Sequence, residues 1–480
     1  MKRLSHLTRP DVQVESFFTL VGHIARYVPT AIFKRGTSEQ LTCYNGIVED
    51  TNRHQKKPSP SSHSQDMSSK NRFSETKLLL RKNDGHTLRF PEVPKRLSDK
   101  GINLETAERL SALDSLRGLI MIVMALDHAN HFIAKRKLEP ELWYFFFPNY
   151  GDNALAFLTR FVTHLAAPGF FFIMGAGMAL FTSSRQSKQW SRFKITSHFI
   201  IRGTLLILFQ FLLENPAWNI GTGNSNLSYF GVLYALGGAM LLGSLFIFLP
   251  TKLLILLSAL LVLFTEALLP HLPSGFATYP TSQLLFTTPG FGDIFITQTL
   301  VLYPILPWLG VMGLGFAYGR YLQQNATKAY NLALPISFIA LLLFAALRTA
   351  NGYGNIRPNL TEDWIGFFNL VKYPPSLTFN LLMIGLNLLF LRIFVWLETH
   401  SSKNVIGRVL TGFGREPLFF YIAHLYLYGF LGMWLNQDGA ISIPQMMPYW
   451  ALGLFILWPL CAGYNAFKHR QADRSHWRFF

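Results

Sequence analysis

The sequence predicts an all-α fold, a polytopic integral membrane helix bundle of about ten transmembrane helices with both termini cytoplasmic. Three observations predict it. Half of the 480 residues are hydrophobic and only 14% are charged, against roughly a quarter in soluble domains. From Ser111 onward, apolar segments of about 17–25 residues recur, the length a helix needs to cross about 30 Å of hydrocarbon. The cations between these segments gather in alternate loops, as membrane orientation demands. The net charge of +17 therefore does not call for nucleic acid, and no basic patch interleaved with aromatics accompanies it.

The chain divides by composition. Residues 1–108 hold 18 of the 43 Lys/Arg and 12 of the 26 Asp/Glu, and read as a polar N-terminal extension ahead of a membrane domain over 109–480. Within the extension, Phe17–Phe33 is apolar but interrupted by His23, Arg26 and Pro29, which suits a surface helix. Arg53–Lys100 is rich in Ser, Lys, Asn and Pro without a sustained period and reads as disordered. Met67 is an alternative start of translation. Cys43 and Cys461 are too few and too far apart for a disulfide framework or a metal site.

The expected spans are Leu113–Ile133, Ala154–Thr182, Ser197–Leu213, Leu227–Leu249, Leu253–Leu269, Thr297–Tyr318, Leu332–Ala346, Pro375–Trp396, Gly412–Trp434 and Pro448–Phe467. Placing the N-terminus in the cytoplasm puts Arg185, Lys188, Arg192, Lys194, Lys252, Arg320, Lys328, Lys403 and Arg408 inside, together with the basic tail from Lys468. The opposite side receives fewer cations, balanced by Glu139, Glu141, Asp152, Asp293, Glu362 and Asp363. The outer loops Asn215–Asn226, Pro270–Ile296 and Arg348–Pro374 are long, aromatic and rich in Gly, Pro and Asn, which suits a structured rim.

Arg109–Phe132 carries the first functional signal. Asp114 and Arg117 share a helix face, as do His128 and His131. Asp114 and His128 are close to a whole number of turns apart, so they line one stripe, separated by roughly 20 Å along the axis. Ionisable side chains inside a bilayer are costly and mark cavities or pathways. In the second span His164 stands just ahead of Pro168-Gly169, where proline removes a helix hydrogen bond and kinks the chain. It is either a hydrogen-bonded interior histidine steadying the kink or, with His128, a second functional one. His424 follows Arg415-Glu416-Pro417, a helix-start signal, and reads first as a structural histidine. Leu302–Arg320, with two prolines and four later glycines, suits a broken, closely packed helix. Lys372-Tyr373-Pro374-Pro375 could hold an anionic or sugar group, or simply anchor the interface. There is no HExxH, GxSxG or Walker loop, and no metal is expected.

The segments LDSLRGLIMIVMALDH, THLAAPGFFFIMGAG, GVLYALGGAM, LVLYPILPWLGVMGLGFAYGR, KYPPSL and FGREPLFFYIAHLYLYGF occur here in that order. Together they resemble bacterial multi-pass proteins of the DUF1624 type, which are similar to the catalytic domain of heparan-α-glucosaminide N-acetyltransferase, within the transmembrane acyltransferases. The resemblance runs from about Leu110 to the C-terminus. It implies acyl transfer across a membrane from cytosolic acetyl-CoA or another acyl-CoA to an acceptor, usually a sugar or glycan, on the far side. It also implies that Asp114 and Arg117 build the cytoplasmic end of the donor channel. At His128 and His164 the heparan enzyme aligns asparagine and aspartate, so these histidines rest on the residue reading alone.

Acyl transfer from a thioester needs a base for the incoming hydroxyl or amine, and histidine suits that role with a pKa near 6.5. The expected base is His128, oriented by Asp127 or a nearby polar group, or else His164; an acyl-histidine intermediate is the alternative to direct transfer. Arg117 would hold donor phosphate, with Asp114 positioning it, and Lys372, Tyr373 and His424 are candidates for binding the acceptor. The expected partners are the lipid bilayer and the acceptor, with homo-oligomers left open, and the expected site is the cell inner membrane. The rival readings are a proton-coupled small-molecule carrier and a non-catalytic envelope protein.

Overall fold

Helix-forming segments begin at Leu104 and follow one another to Arg470 in the structure, a computed structural model that describes residues 104–134, 141–142, 148–150, 153–220, 227–268, 290–294, 297–359, 361, 363–400, 405–435 and 441–471. In chain order, α1 covers Leu104–Phe132. Helix α2 (Ala154–Phe161) passes through a 3-10 turn, Val162–Leu165, into α3 (Ala166–Gln186). Helix α4 (Arg192–Phe209) passes through a π-turn, Gln210–Glu214, into α5 (Asn215–Trp218). Strand β1 (Leu227–Phe230) precedes α6 (Val232–Phe246) and α7 (Thr251–Leu268), and strands β2 (Gly290–Ile294) and β3 (Thr297–Val301) precede α8 (Ile305–Gln324). Then come α9 (Ala326–Ala350), α10 (Trp364–Phe368), α11 (Leu377–His400), α12 (Val405–Gly414), α13 (Pro417–Leu435) and α14 (Ile443–Arg470). The expectations for the N-terminal extension, Met67 included, lie outside the described residues apart from the start of α1.

Among the described residues, six helical stretches are long and apolar enough to cross a membrane: Ala154–Gln186, Arg192–Trp218, α9, α11, α13 and α14. Helix α1 has 29 residues, but Asp127, His128, Asn130 and His131 dilute its apolar run. The all-α expectation needs one correction. Strand β3 pairs parallel with β1 and antiparallel with β2, giving a three-stranded sheet in the order β1–β3–β2. The fourth and sixth expected spans therefore open as strand, over Leu227–Phe230 and Thr297–Val301. A short apolar run gives the same hydropathy in either conformation, and β-branched and aromatic content is what separates them. Two further boundaries differ. Gly412–Gly414 end a separate helix, α12, rather than opening the ninth span, and α8 is unbroken because Pro304 and Pro307 precede or sit in its first turn, where no intrahelical N–H is lost.

Polar side chains set several helix ends. Asn153, Ser191 and Asn325 accept from the backbone N–H groups of Ala156, Lys194 and Lys328 at 2.9, 3.2 and 2.9 Å, which satisfies donors that the first turn leaves free. Arg320 closes the end of α6 by donating to the carbonyls of Ile247 and Leu249 and to Thr251 Oγ1. Arg348 organises the loop after α9: its guanidinium donates to the carbonyls of Gly366, Phe367 and Asn369 and to Asn355 Oδ1.

Glycine lets the central helices touch backbone to backbone. A Cβ on Gly175 of α3 would lie 1.9 Å from the Met312 carbonyl oxygen of α8, and one on Gly315 of α8 would lie 2.0 Å from that of Phe172. The same happens where α12 meets α1, with Gly118 against the Leu410 carbonyl and Gly414 against that of Asp114. Neither backbone can yield as a side chain would. Gly175→Ala is therefore expected to lose about 1–3 kcal/mol of stability, read as a lowered melting temperature of detergent-purified protein. Gly177→Ala, which meets nothing within 4 Å, should melt as the native chain does.

The two ends of the bundle differ. At one end Arg117 on α1 donates to the Gly414 carbonyl at 3.0 Å, and Lys468 on α14 meets Glu416 at 2.5 Å, so the start of α1, the α12–α13 junction and the end of α14 gather there. At the other end lie the Glu141 and Lys372 loops and the far end of α1.

Candidate active site

The far end of α1 supplies Asp127 and His128, and both are held by residues from other elements. Arg160, one turn before His164, lies buried with a two-pronged grip on Glu141 (Nε to Oε1 and Nη2 to Oε2, each 2.7 Å). Its remaining nitrogen, Nη1, donates to both oxygens of Asp127 at 2.7 and 2.6 Å. Such forked, charge-assisted contacts fix geometry as well as energy. An arginine inside an apolar segment needs this compensation, since an unpaired buried charge is strongly destabilising. Burial alone would raise the Glu141 carboxyl, but the adjoining Arg160 guanidinium holds it well below the usual glutamate range.

The turn that carries His164 is also explained by local chemistry. Pro168 has no N–H to give to the preceding turn, and the backbone tightens into the 3-10 segment Val162–Leu165 just before it. The Leu165 carbonyl accepts from Asn387 Nδ2 of α11 at 3.1 Å. In this turn His164 Nε2 lies 3.2 Å from Glu141 Oε1, and its Nδ1 is sealed from solvent without a hydrogen-bond partner.

His128 has a different surrounding. Its Nδ1 is 2.6 Å from His424 Nε2, and His424 Nδ1 is 2.9 Å from the Phe420 carbonyl on the preceding turn of α13. A carbonyl only accepts, so His424 Nδ1 carries the proton there. The Nε2 of a neutral His424 is then a lone pair, and the proton between the two rings belongs to His128 Nδ1. What remains on His128 is an Nε2 with its lone pair free. The two ring planes lie within 15° of each other with centroids 4.9 Å apart, while Trp218 of α5 and Tyr421 of α13 make edge contacts with His128 at 5.0 and 6.4 Å. The π-turn before α5 buries Glu214, whose Oε1 accepts from Tyr421 Oη at 2.8 Å and from Trp218 Nε1 at 3.2 Å.

Lys372 and Tyr373 complete the cluster. Their backbone N–H groups both donate to the Glu141 carbonyl, at 3.2 and 3.1 Å, which places this loop against the ionic triple. Tyr373 Oη meets Tyr303 Oη at 3.2 Å, and the Tyr373-Pro374 peptide is cis. At the opposite end of α1, Arg117 Nη1 and Asp114 Oδ1 pair at 2.6 Å with each side chain about a quarter exposed.

The residues singled out from the sequence thus fall into two groups. Asp127, His128, His164, Lys372, Tyr373 and His424 gather at one end, and Asp114 with Arg117 stand at the other. Both oxygens of Asp127 are taken by Arg160, and the polar group within hydrogen-bond reach of the His128 ring is His424. Arg160, Glu141, Glu214, Trp218 and Tyr421 were not read as site residues at all. One available signal was Arg160 itself, an arginine four residues before His164 in a membrane segment. Among the described residues, no group of three or more His, Cys, Asp or Glu could hold a metal ion.

The family model described as heparan-alpha-glucosaminide N-acetyltransferase, catalytic, matches residues 109–348, half of the chain. The chain belongs to this acetyltransferase family. A search of curated proteins returns no match to it. Together with its apolar helices, membership makes the chain a multi-pass membrane protein of an acetyltransferase catalytic type. The matched region contains Asp114, Arg117, Asp127, His128, Glu141, Arg160, His164 and Glu214, while Lys372, Tyr373 and His424 lie beyond it.

Proposed function

We propose that the chain transfers an acetyl group from cytosolic acetyl-CoA to a sugar hydroxyl or amine on the far side of a cell inner membrane, with His128 as general base. The single observation that carries this reading is the His128–His424 pair. Its proton order leaves His128 Nε2 as a neutral lone pair, on a residue that is 8% exposed. A base held in one tautomer by a second ring is the arrangement that proton abstraction asks for. His164 fits the role less well, because one of its nitrogens faces Glu141 and the other is sealed.

The remaining residues divide the work. His128 Nε2 takes the acceptor proton as the acceptor attacks the thioester carbonyl, and later returns it to the departing CoA sulfur. Arg117, braced by Asp114 and the Gly414 carbonyl, would face donor phosphate at the cytoplasmic mouth. The triple of Asp127, Arg160 and Glu141 keeps α1, α2 and the Lys372 loop in register. The ten-span topology with both termini cytoplasmic belongs to this reading, since it puts the Asp114–Arg117 end inside.

The test is acetyl transfer by purified protein in lipid nanodiscs. With radiolabelled acetyl-CoA and a panel of amino sugars and sugar alcohols, CoA release should depend on an added acceptor and should disappear in His128→Ala. Solute uptake into vesicles with no thioester cleavage would point instead to a carrier.

A further inference from the structure

Lys372 is 4% exposed, yet no hydrogen bond or ion pair to its ammonium occurs among the described residues. The Tyr373 ring lies 5.0 Å from Nζ. A charge in so enclosed a place is costly, and Nζ is not among the fully sealed, unpartnered polar atoms, so two features must be explained together: what keeps the charge there, and what its N–H donors are kept for.

The surrounding charges answer the first. Asp127, Arg160 and Glu141 carry one net negative charge between them, and the Lys372 backbone is tied to Glu141 itself at 3.2 Å. Lys372 therefore balances the charge of the triple without an ion pair to either carboxylate, and these four side chains sum to zero. Arg160 bridges Glu141 to Asp127, the residue before His128, so the Lys372 loop is tied through these contacts to the end of α1 that carries the base.

We infer that Lys372 is the oxyanion donor of the acyl-transfer step, its ammonium held at the His128 end of α1 to receive the negative charge of the tetrahedral intermediate. This rests on the acetyltransferase reading and adds to it the group that His128 cannot supply. When the acceptor oxygen or nitrogen bonds to the thioester carbon, its proton passes to His128 Nε2 and the carbonyl π pair moves onto oxygen. Lys372 donates to that oxygen. Collapse re-forms the C=O bond and breaks C–S, and the thiolate takes the proton back from His128 to leave as CoA thiol. A positioned donor of this kind, in a site shielded from water, is commonly worth about 10²–10³-fold in rate.

The experiment compares two ligands in lipid nanodiscs. One is acetyl-CoA. The other is a CoA thioether ending in a methylphosphonate, whose tetrahedral anionic centre mimics the intermediate. Lys372→Met should lower kcat about 100-fold and weaken phosphonate binding by a similar factor, while the Kd for acetyl-CoA stays within threefold. Lys372→Arg, which keeps the charge, should retain most of the phosphonate affinity. Equal loss of affinity for both ligands in Lys372→Met, or an unchanged kcat, would overturn the assignment. Because binding is measured without turnover, a His128→Ala chain that remained active would sink the base and leave the Lys372 result standing or falling by itself.

Discussion

His128→Ala is expected to lower acetyl transfer by about 10²–10⁴-fold, the contribution of a positioned general base, with little change in the melting temperature. The expectation follows from the order of protons along one line of atoms. The Phe420 carbonyl fixes the proton of His424, His424 fixes that of His128, and the nitrogen left bare on His128 is the one available to an acceptor. His424→Phe keeps a ring of similar size but removes the acceptor for His128 Nδ1. The His128 ring is then free to take the other tautomer, and the rate should fall by an intermediate amount, about tenfold. His164→Ala should act through Glu141 and lose less than His128→Ala. Rates measured on the three purified variants under saturating donor would settle the order, and a His128→Ala protein as fast as the native one removes His128 from the chemistry.

Arg160→Met is expected to be the most destabilising single change at this end of the bundle, by about 3–5 kcal/mol. Arginine is the sole cation gripping both Asp127 and Glu141 among the described residues, and its loss leaves two carboxylates facing each other in a buried place. The measurement is thermal unfolding in detergent. The double variant Arg160→Met, Glu141→Gln should recover much of the loss, because Asp127 and Lys372 then carry opposite charges and no net charge remains; failure to recover would mean that the arginine matters for shape rather than charge. The pH dependence is also defined. The Glu141 pKa is lowered in the fold, so its contribution is complete above the unfolded value and fades only as pH falls toward the lower folded one. Between about pH 5 and pH 8 this contribution to the native protein should therefore be constant, whereas without Arg160 burial alone acts on Glu141 and raises its carboxyl, so the destabilisation by Arg160→Met should shrink as pH falls.

Much of this was legible in the chain. Apolar runs of spanning length forecast the helices, since a lipid-embedded backbone has to satisfy its own hydrogen bonds. The Asp114–Arg117 contact was readable from a spacing of three residues on one helix. Pro168 announced the turn that carries His164. The strands were less legible, because β1 and β3 are four and five residues long and merge into the apolar helices that follow them.

By itself, the sequence determined which segments are apolar enough for a membrane and which ionisable residues interrupt them. It determined these because local helix geometry and hydrophobicity act over a few residues at a time. It could not decide pairings between residues hundreds of positions apart. His128 and His424 are separated by 296 residues and meet at 2.6 Å, and Arg160 reaches Asp127 across 33. Those contacts depend on which helix faces meet, and the close helix approach at Gly175, Gly315, Gly118 and Gly414 helps set that. Tertiary packing thus decided that Asp127 pairs with an arginine, that the His424 and His128 rings meet, and that the Lys372 loop lies against Glu141.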